Sequence, residues 1–136
     1  LSLPYSLITE DKAKSIMNKI IAELYTPRGL RSLSAKNDKY AGLYYGSLCD
    51  RDSCYHQGTV WSWPLGHFLE AHYKIYKNKD SIEFLIEGIK DHFYNDGAIK
   101  NISEIFDGRE PHEARGCFAQ AWSVGEILRV YKEILD

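Results

Sequence analysis

Residues 59–77 read TVWSWPLGHFLEAHYKIYK, and the fold turns on how this stretch is read. Apolar side chains recur nearly all the way round a helical period, which predicts a helix buried on several sides. Pro64 belongs in its first turn, where no intrahelical N–H is needed. Such a helix needs several neighbours, so the question becomes what the rest of the chain supplies.

Upstream, residues 8–25 (ITEDKAKSIMNKIIAELY) place Ala13, Ile16, Met17, Ile20, Ile21 and Leu24 at the three-and-four spacing of a helix with one buried face. Thr9 is its N-cap, Glu10 and Asp11 occupy its first turn, and Thr26-Pro27 ends it. Downstream, Asp80 or Ser81 caps another one-faced helix, with its stripe at Ile82, Leu85, Ile86, Ile89 and Phe93; Asn95, Asp96 and Gly97 end it. The last helix, over 116–135, carries Cys117, Ala121, Trp122, Val124, Ile127, Leu128 and Tyr131 on more than one side. Long glycine-containing connectors occupy about 26–58 and 96–115, while the connection near 78–80 is short.

The order is therefore one-faced helix, long loop, many-faced helix, and then the same again. The expected fold is all-α: two hairpins of an outer and an inner helix, with both outer-to-inner loops opening at one end. A site is expected there. Two hairpins cannot enclose the many-faced helices, so residues 1–136 are expected to form one segment, the end of a larger helical toroid. Alone, its bare apolar surface predicts self-association.

The composition narrows the function. Of 136 residues, 44% are hydrophobic and 26% charged, with a net charge of -2, which is globular material without a basic face for nucleic acid. No apolar run approaches the roughly 20 residues of a membrane span. Cys49, Cys54 and Cys117 form no disulfide framework and suit a reducing cytoplasm. Cys49, Cys54 and His56, with His112 and Cys117 far downstream, lack the spacing of a zinc site, so neither metal nor cofactor is expected.

Three blocks carry a family resemblance: YTPRGLRSLS (25–34), YHQGTVWSW (55–63) and EIFDGREPHEARGCFAQAWSV (104–124). In this order they resemble the carboxy-terminal part of bacterial glycogen debranching enzymes of the amylo-α-1,6-glucosidase type, over nearly the whole chain. Two departures are visible. Similar sequences carry a VWPW run, whereas here Pro64 follows the second tryptophan; and a DPPHEPRGC run is replaced by Arg109–Cys117. The resemblance implies an (α/α)6 toroid and an inverting glycosidase acting on α-1,6 branch linkages of glycogen-like glucans. Other toroid glycosidases, glucoamylase-like ones among them, and a non-catalytic glucan-binding fragment are the alternatives.

An inverting glycosidase needs an acid for the leaving oxygen and a base for water, standing about 6.5–9.5 Å apart. Matching the family motif assigns the general base to Glu104, with Asp107 as competitor; either could instead pair with Arg109 or Arg115. The general acid belongs to an early motif like GRDT, which this chain lacks, so the segment alone is expected to be inactive. Tyr55, His56, Gln57 and Trp61 are the candidates for a glucose subsite: rings cover sugar C–H faces, and amide and imidazole groups bond hydroxyls. Read as helix, the stretch turns Trp63 away from Trp61 and into the core. Arg28 and Arg31 are expected to brace the first connector. Gln120 and Trp122 are read as inner-helix residues that pack and hydrogen-bond, and His67, His72 and His92 as structural or solvated.

Overall fold

The computed structural model describes residues Leu1–Asp136. Its helices are α1 (Glu10–Glu23), α2 (Leu48–Cys54), α3 (Pro64–Tyr76), α4 (Lys79–Asn95) and α5 (Ala121–Val130), which ends in a π-helical turn, Tyr131–Leu135. Five short strands lie between them: β1 (Tyr25–Thr26), β2 (Gly29–Arg31), β3 (Val60–Trp61), β4 (Ile105–Phe106) and β5 (Ala114–Arg115). They form one antiparallel sheet in the order β1-β2-β3-β4-β5.

This sheet corrects the all-α reading. The chain is mixed α and β, 49% helical and 8% strand, and the all-α, toroid-segment description does not hold for it. Both connectors expected to be loops supply strands, and β3 joins them: it pairs with β2 through Leu30 and Arg31 and with β4 through Ile105 and Phe106. The physical reason is length. Strands of two or three residues are too short to display period-two alternation, and their partners lie far away in sequence.

Each helix forms for identifiable reasons. Ser47 caps α2 through a reciprocal capping box with Asp50. Pro64 stands at the start of α3, and Val60–Trp61, expected within that helix, is strand instead. Asn78, rather than Asp80 or Ser81, caps α4: its side chain accepts the Ser81 N–H at 3.1 Å. Helix α5 begins at residue 121 rather than 116, because the preceding residues bond elsewhere: the Glu104 N–H donates to the Cys117 carbonyl at 2.8 Å and the Gln120 N–H to the Ile102 carbonyl at 2.8 Å.

The core lies between the sheet and the helices. Met17 of α1, Leu65, Phe68 and Leu69 of α3, Ile82, Ile86 and Ile89 of α4 and Val130 of α5 meet Val60 and Phe106 from the sheet. Full burial of each such side chain contributes about 1.5–3 kcal/mol. Val60 belongs to this cluster and its strand neighbour Trp61 does not, as alternation across a pleat requires. The β1–β2 hairpin docks on α4: the Tyr25 hydroxyl donates to the Leu85 carbonyl at 2.9 Å, and the Arg28 guanidinium reaches the Gly88 carbonyl and, at 3.2 Å, Asp91. Arg31 donates from Nε to the Gly108 carbonyl at 3.0 Å. Both arginines thus hold the chain's own groups. Where the two connectors cross, a methyl on Gly108 would strike the Gly58 carbonyl and the Tyr40 hydroxyl, so only glycine admits that approach.

Candidate active site

Glu104 stands one residue before β4 and is half-buried. Its carboxylate is held from two sides. The Tyr55 hydroxyl donates to Oε1 at 2.5 Å, and the Cys117 N–H donates to Oε2 at 3.0 Å. Two accepted bonds leave other lone pairs of a carboxylate free for water. Gly116, with φ +66, leaves room beside it; a Cβ there would come within 2.6 Å of Oε2. Behind Glu104, the buried Ser62 hydroxyl donates to the Ser103 carbonyl at 2.7 Å and lies 3.1 Å from the Ser123 hydroxyl. Burial first, and then the bond to Glu104, push the Tyr55 phenol well above its ordinary pKa, so it stays a donor.

Asp107 differs in every respect. Its side chain is 3% exposed. Oδ1 accepts the Tyr44 N–H at 2.7 Å, and Oδ2 accepts from Arg115 Nε at 3.0 Å and Nη2 at 2.9 Å. The bond to Asp107 raises the Arg115 pKa. This carboxylate ties the first connector to β5.

The rings assemble around Tyr55. Its centroid lies 4.7 Å from Trp61, 4.9 Å from His56 and 5.7 Å from Tyr44. His56 stacks flat on Trp61, at 5.2 Å and 2°. Trp122 stands 6.3 Å from Trp61 and 5.7 Å from Trp63. His56, Trp61, Trp63 and Trp122, with Leu24, Leu30, Arg31, Ser32 and Pro64, line a cleft of about 400 Å³. That size suits a small ligand. A second depression, about 410 Å³, is lined by Tyr44, Tyr45, Gly46, Arg51, Arg115 and Gly116. Tyr55 and Glu104 lie between the two: Tyr55 touches Tyr44 on one side and Trp61 on the other, and Glu104 abuts Gly116.

Tyr55, His56 and Trp61 are therefore together, and Tyr55 links them to Glu104. Gln57 is fixed by its backbone, whose carbonyl accepts the Ala41 N–H at 2.6 Å; its side chain does not line the cleft. Trp61 is 8% exposed, while Trp63, expected in the core, is half-buried and lines the same cleft. The helical offset between the indoles does not apply, because Trp61 is in a strand. Trp122, read as a packing residue, is 50% exposed. A start of α5 at residue 121 puts it at the cleft, and no local signal announced that start. The largest groove, about 780 Å³, lies against the N-terminal segment and contains none of these residues.

Compared with known families, the chain matches the family model for amylo-alpha-1,6-glucosidase over residues 1–129.

Proposed function

Since this chain belongs to the amylo-alpha-1,6-glucosidase family, we propose that it contributes the general base and part of the sugar-binding wall to a debranching glycosidase. In this reading Glu104 takes a proton from the water that attacks the anomeric carbon of an α-1,6-linked glucosyl unit, with inversion. Tyr55 and the Cys117 N–H orient the carboxylate, so its free lone pairs meet that water in one geometry. The glucosyl ring lies against the Trp61–His56–Trp122 wall, where indole faces cover its C–H surface.

One observation carries the choice of base: Asp107 is buried and paired with the Arg115 guanidinium, whereas Glu104 is half-buried beside the rings, has no cationic partner and accepts one donor on each oxygen. The general acid comes from another part of a longer protein, and the 136-residue chain alone has no turnover. Branched α-glucans, such as glycogen limit dextrins, are the substrate class.

Replacing Glu104 with Gln in the full-length protein tests this. Turnover is expected to fall roughly 10²–10⁴-fold, the usual contribution of a general base. Oligosaccharide affinity and the thermal midpoint should stay near the wild-type values. Turnover within about twofold of wild type, far below the loss a missing base causes, removes Glu104 from the mechanism.

A further inference from the structure

His92 lies in the last turn of α4, completely buried, and is not among the residues of the cleft. Its Nε2 is 3.2 Å from the backbone nitrogen of Ser103, the residue before Glu104. A backbone N–H can only donate, so Nε2 must offer a lone pair. The ring proton therefore sits on Nδ1, which donates to Asp96 Oδ2 at 3.0 Å. Asp96 is itself fixed, because its Oδ1 accepts the Gly97 N–H at 2.7 Å. The imidazole stands edge-on to Phe106 of β4, at 4.8 Å and 83°. On the other side of Ser103, the carbonyl accepts the buried Ser62 hydroxyl at 2.7 Å. Both peptides flanking Ser103 are thus clamped by buried side chains, one from α4 and one from the bend between β3 and α3.

We propose that His92 is a positioning residue for Glu104: a neutral imidazole holds the Ser103 peptide and, through it, the carboxylate that follows. The proposal rests on the reading of Glu104 as general base. The fold favours the neutral form this requires. Burial lowers the His92 pKa; Asp96, which caps the end of α4, and Asp91 on that helix oppose this, and Arg28, from the turn between β1 and β2, adds to it. A protonated ring would aim an N–H at the Ser103 N–H, and the clamp would open.

The sign follows. Above the ordinary imidazole pKa, folded and unfolded chains both carry neutral His92, and its stabilisation is complete. As pH falls, the unfolded chain takes up the proton first, and stability declines until pH passes the lowered folded value.

The test uses two variants of the full-length protein. In His92→Gln the amide oxygen can reach the position of Nε2; in His92→Asn it cannot. We expect H92N to lose roughly 10–100-fold in kcat, as when a catalytic group is displaced, with KM little changed. H92Q should recover most of that rate. Because glutamine does not titrate, the stability of this variant should fall less steeply than that of wild type as pH drops through the imidazole range. H92N with wild-type kcat, beside an inactive E104Q, overturns the role of His92 and leaves that of Glu104 intact. An active E104Q overturns both. Should H92N fail to fold, H92Q decides, and a loss of stability towards acid as steep as that of wild type overturns the proposal.

Discussion

Two carboxylates flank β4, Glu104 before it and Asp107 after it, and the regions around them have opposite characters. Around Asp107 every polar group is matched: an arginine fork, a backbone N–H and a buried site. Around Glu104 the matching is incomplete by design of position: two donors hold the carboxylate and a glycine keeps its front clear. A buried carboxylate paired with an arginine joins segments. An incompletely matched one, anchored from behind, can accept a proton from something not yet present. Three residues of sequence separate a brace from a proposed base, and burial distinguishes them where residue type does not.

Asp107→Ala is the harshest way to break this comparison. It leaves the Arg115 guanidinium and the Tyr44 N–H without their partner, and removing one member of a buried ion pair costs about 3–5 kcal/mol. Arg115 keeps 35% of its side-chain surface in water, so the low end of that range is expected in urea unfolding. Glu104→Ala leaves the Tyr55 hydroxyl and the Cys117 N–H without their acceptor at a half-open site and should cost about 1.5–2 kcal/mol, the low end for bonds to a charged group. Equal losses in the two variants would erase the distinction between brace and base.

Tyr55→Phe is gentler. It keeps the ring on Trp61 and His56 and removes only the donor to Glu104 Oε1. Stability should drop by about 1–2 kcal/mol, toward the lower part of the range for a bond to a charged group, because the site is half-open. Turnover should fall with it while affinity for oligosaccharide stays. A pH signature accompanies the change. The folded pKa of Tyr55 is raised, so its stabilisation is complete below the ordinary phenol value and is lost as pH rises beyond it. Alkaline unfolding curves should therefore be shallower in Y55F than in wild type; parallel curves would mean that the Tyr55–Glu104 bond does not hold in solution.

How much of this could be read from the sequence depends on the length over which each signal repeats. The apolar stripe of α4, at Ile82, Leu85, Ile86 and Ile89, spans the helix and marks it plainly. Strand β3 is two residues long and was absorbed into the helix that follows it. Its identity comes from partners at Leu30 and Arg31 and at Ile105 and Phe106, which no local pattern contains. The same holds at the site. Glu104, Asp107 and the Tyr55–Trp61 group stood out by family likeness and residue type. That Asp107 is paired with Arg115 and Tyr44, that Trp122 reaches the cleft and that His92 grips Ser103 are properties of pairing across 8 to 63 positions. Helix α5 teaches the same lesson from the opposite side: its residues looked buried all round, yet Trp122, Leu128 and Tyr131 remain exposed.

The smallest effect separates the two faces of the aromatic wall. Trp61 is 8% exposed and Trp122 is 50% exposed, although both line the cleft. Truncating Trp61 to Ala empties a packed site beside Tyr55 and should cost about 3–5 kcal/mol of stability. Trp122→Ala removes a ring already half in water, with no side-chain hydrogen bond, an edge contact to Trp61 and a tilted contact to Trp63. Aromatic pairs of that kind contribute about 0.5–1.5 kcal/mol, so thermal unfolding should move little. Binding is the sharper readout. If the cleft holds a glucosyl ring, W122A in the full-length protein should weaken maltooligosaccharide binding by a similar 0.5–1.5 kcal/mol, about two- to twelvefold by titration calorimetry, with kcat unchanged at saturation. Unaltered affinity would confine the sugar to the Tyr55 side of the wall, nearer Glu104, and would make the exposed indole a surface for other parts of a longer chain.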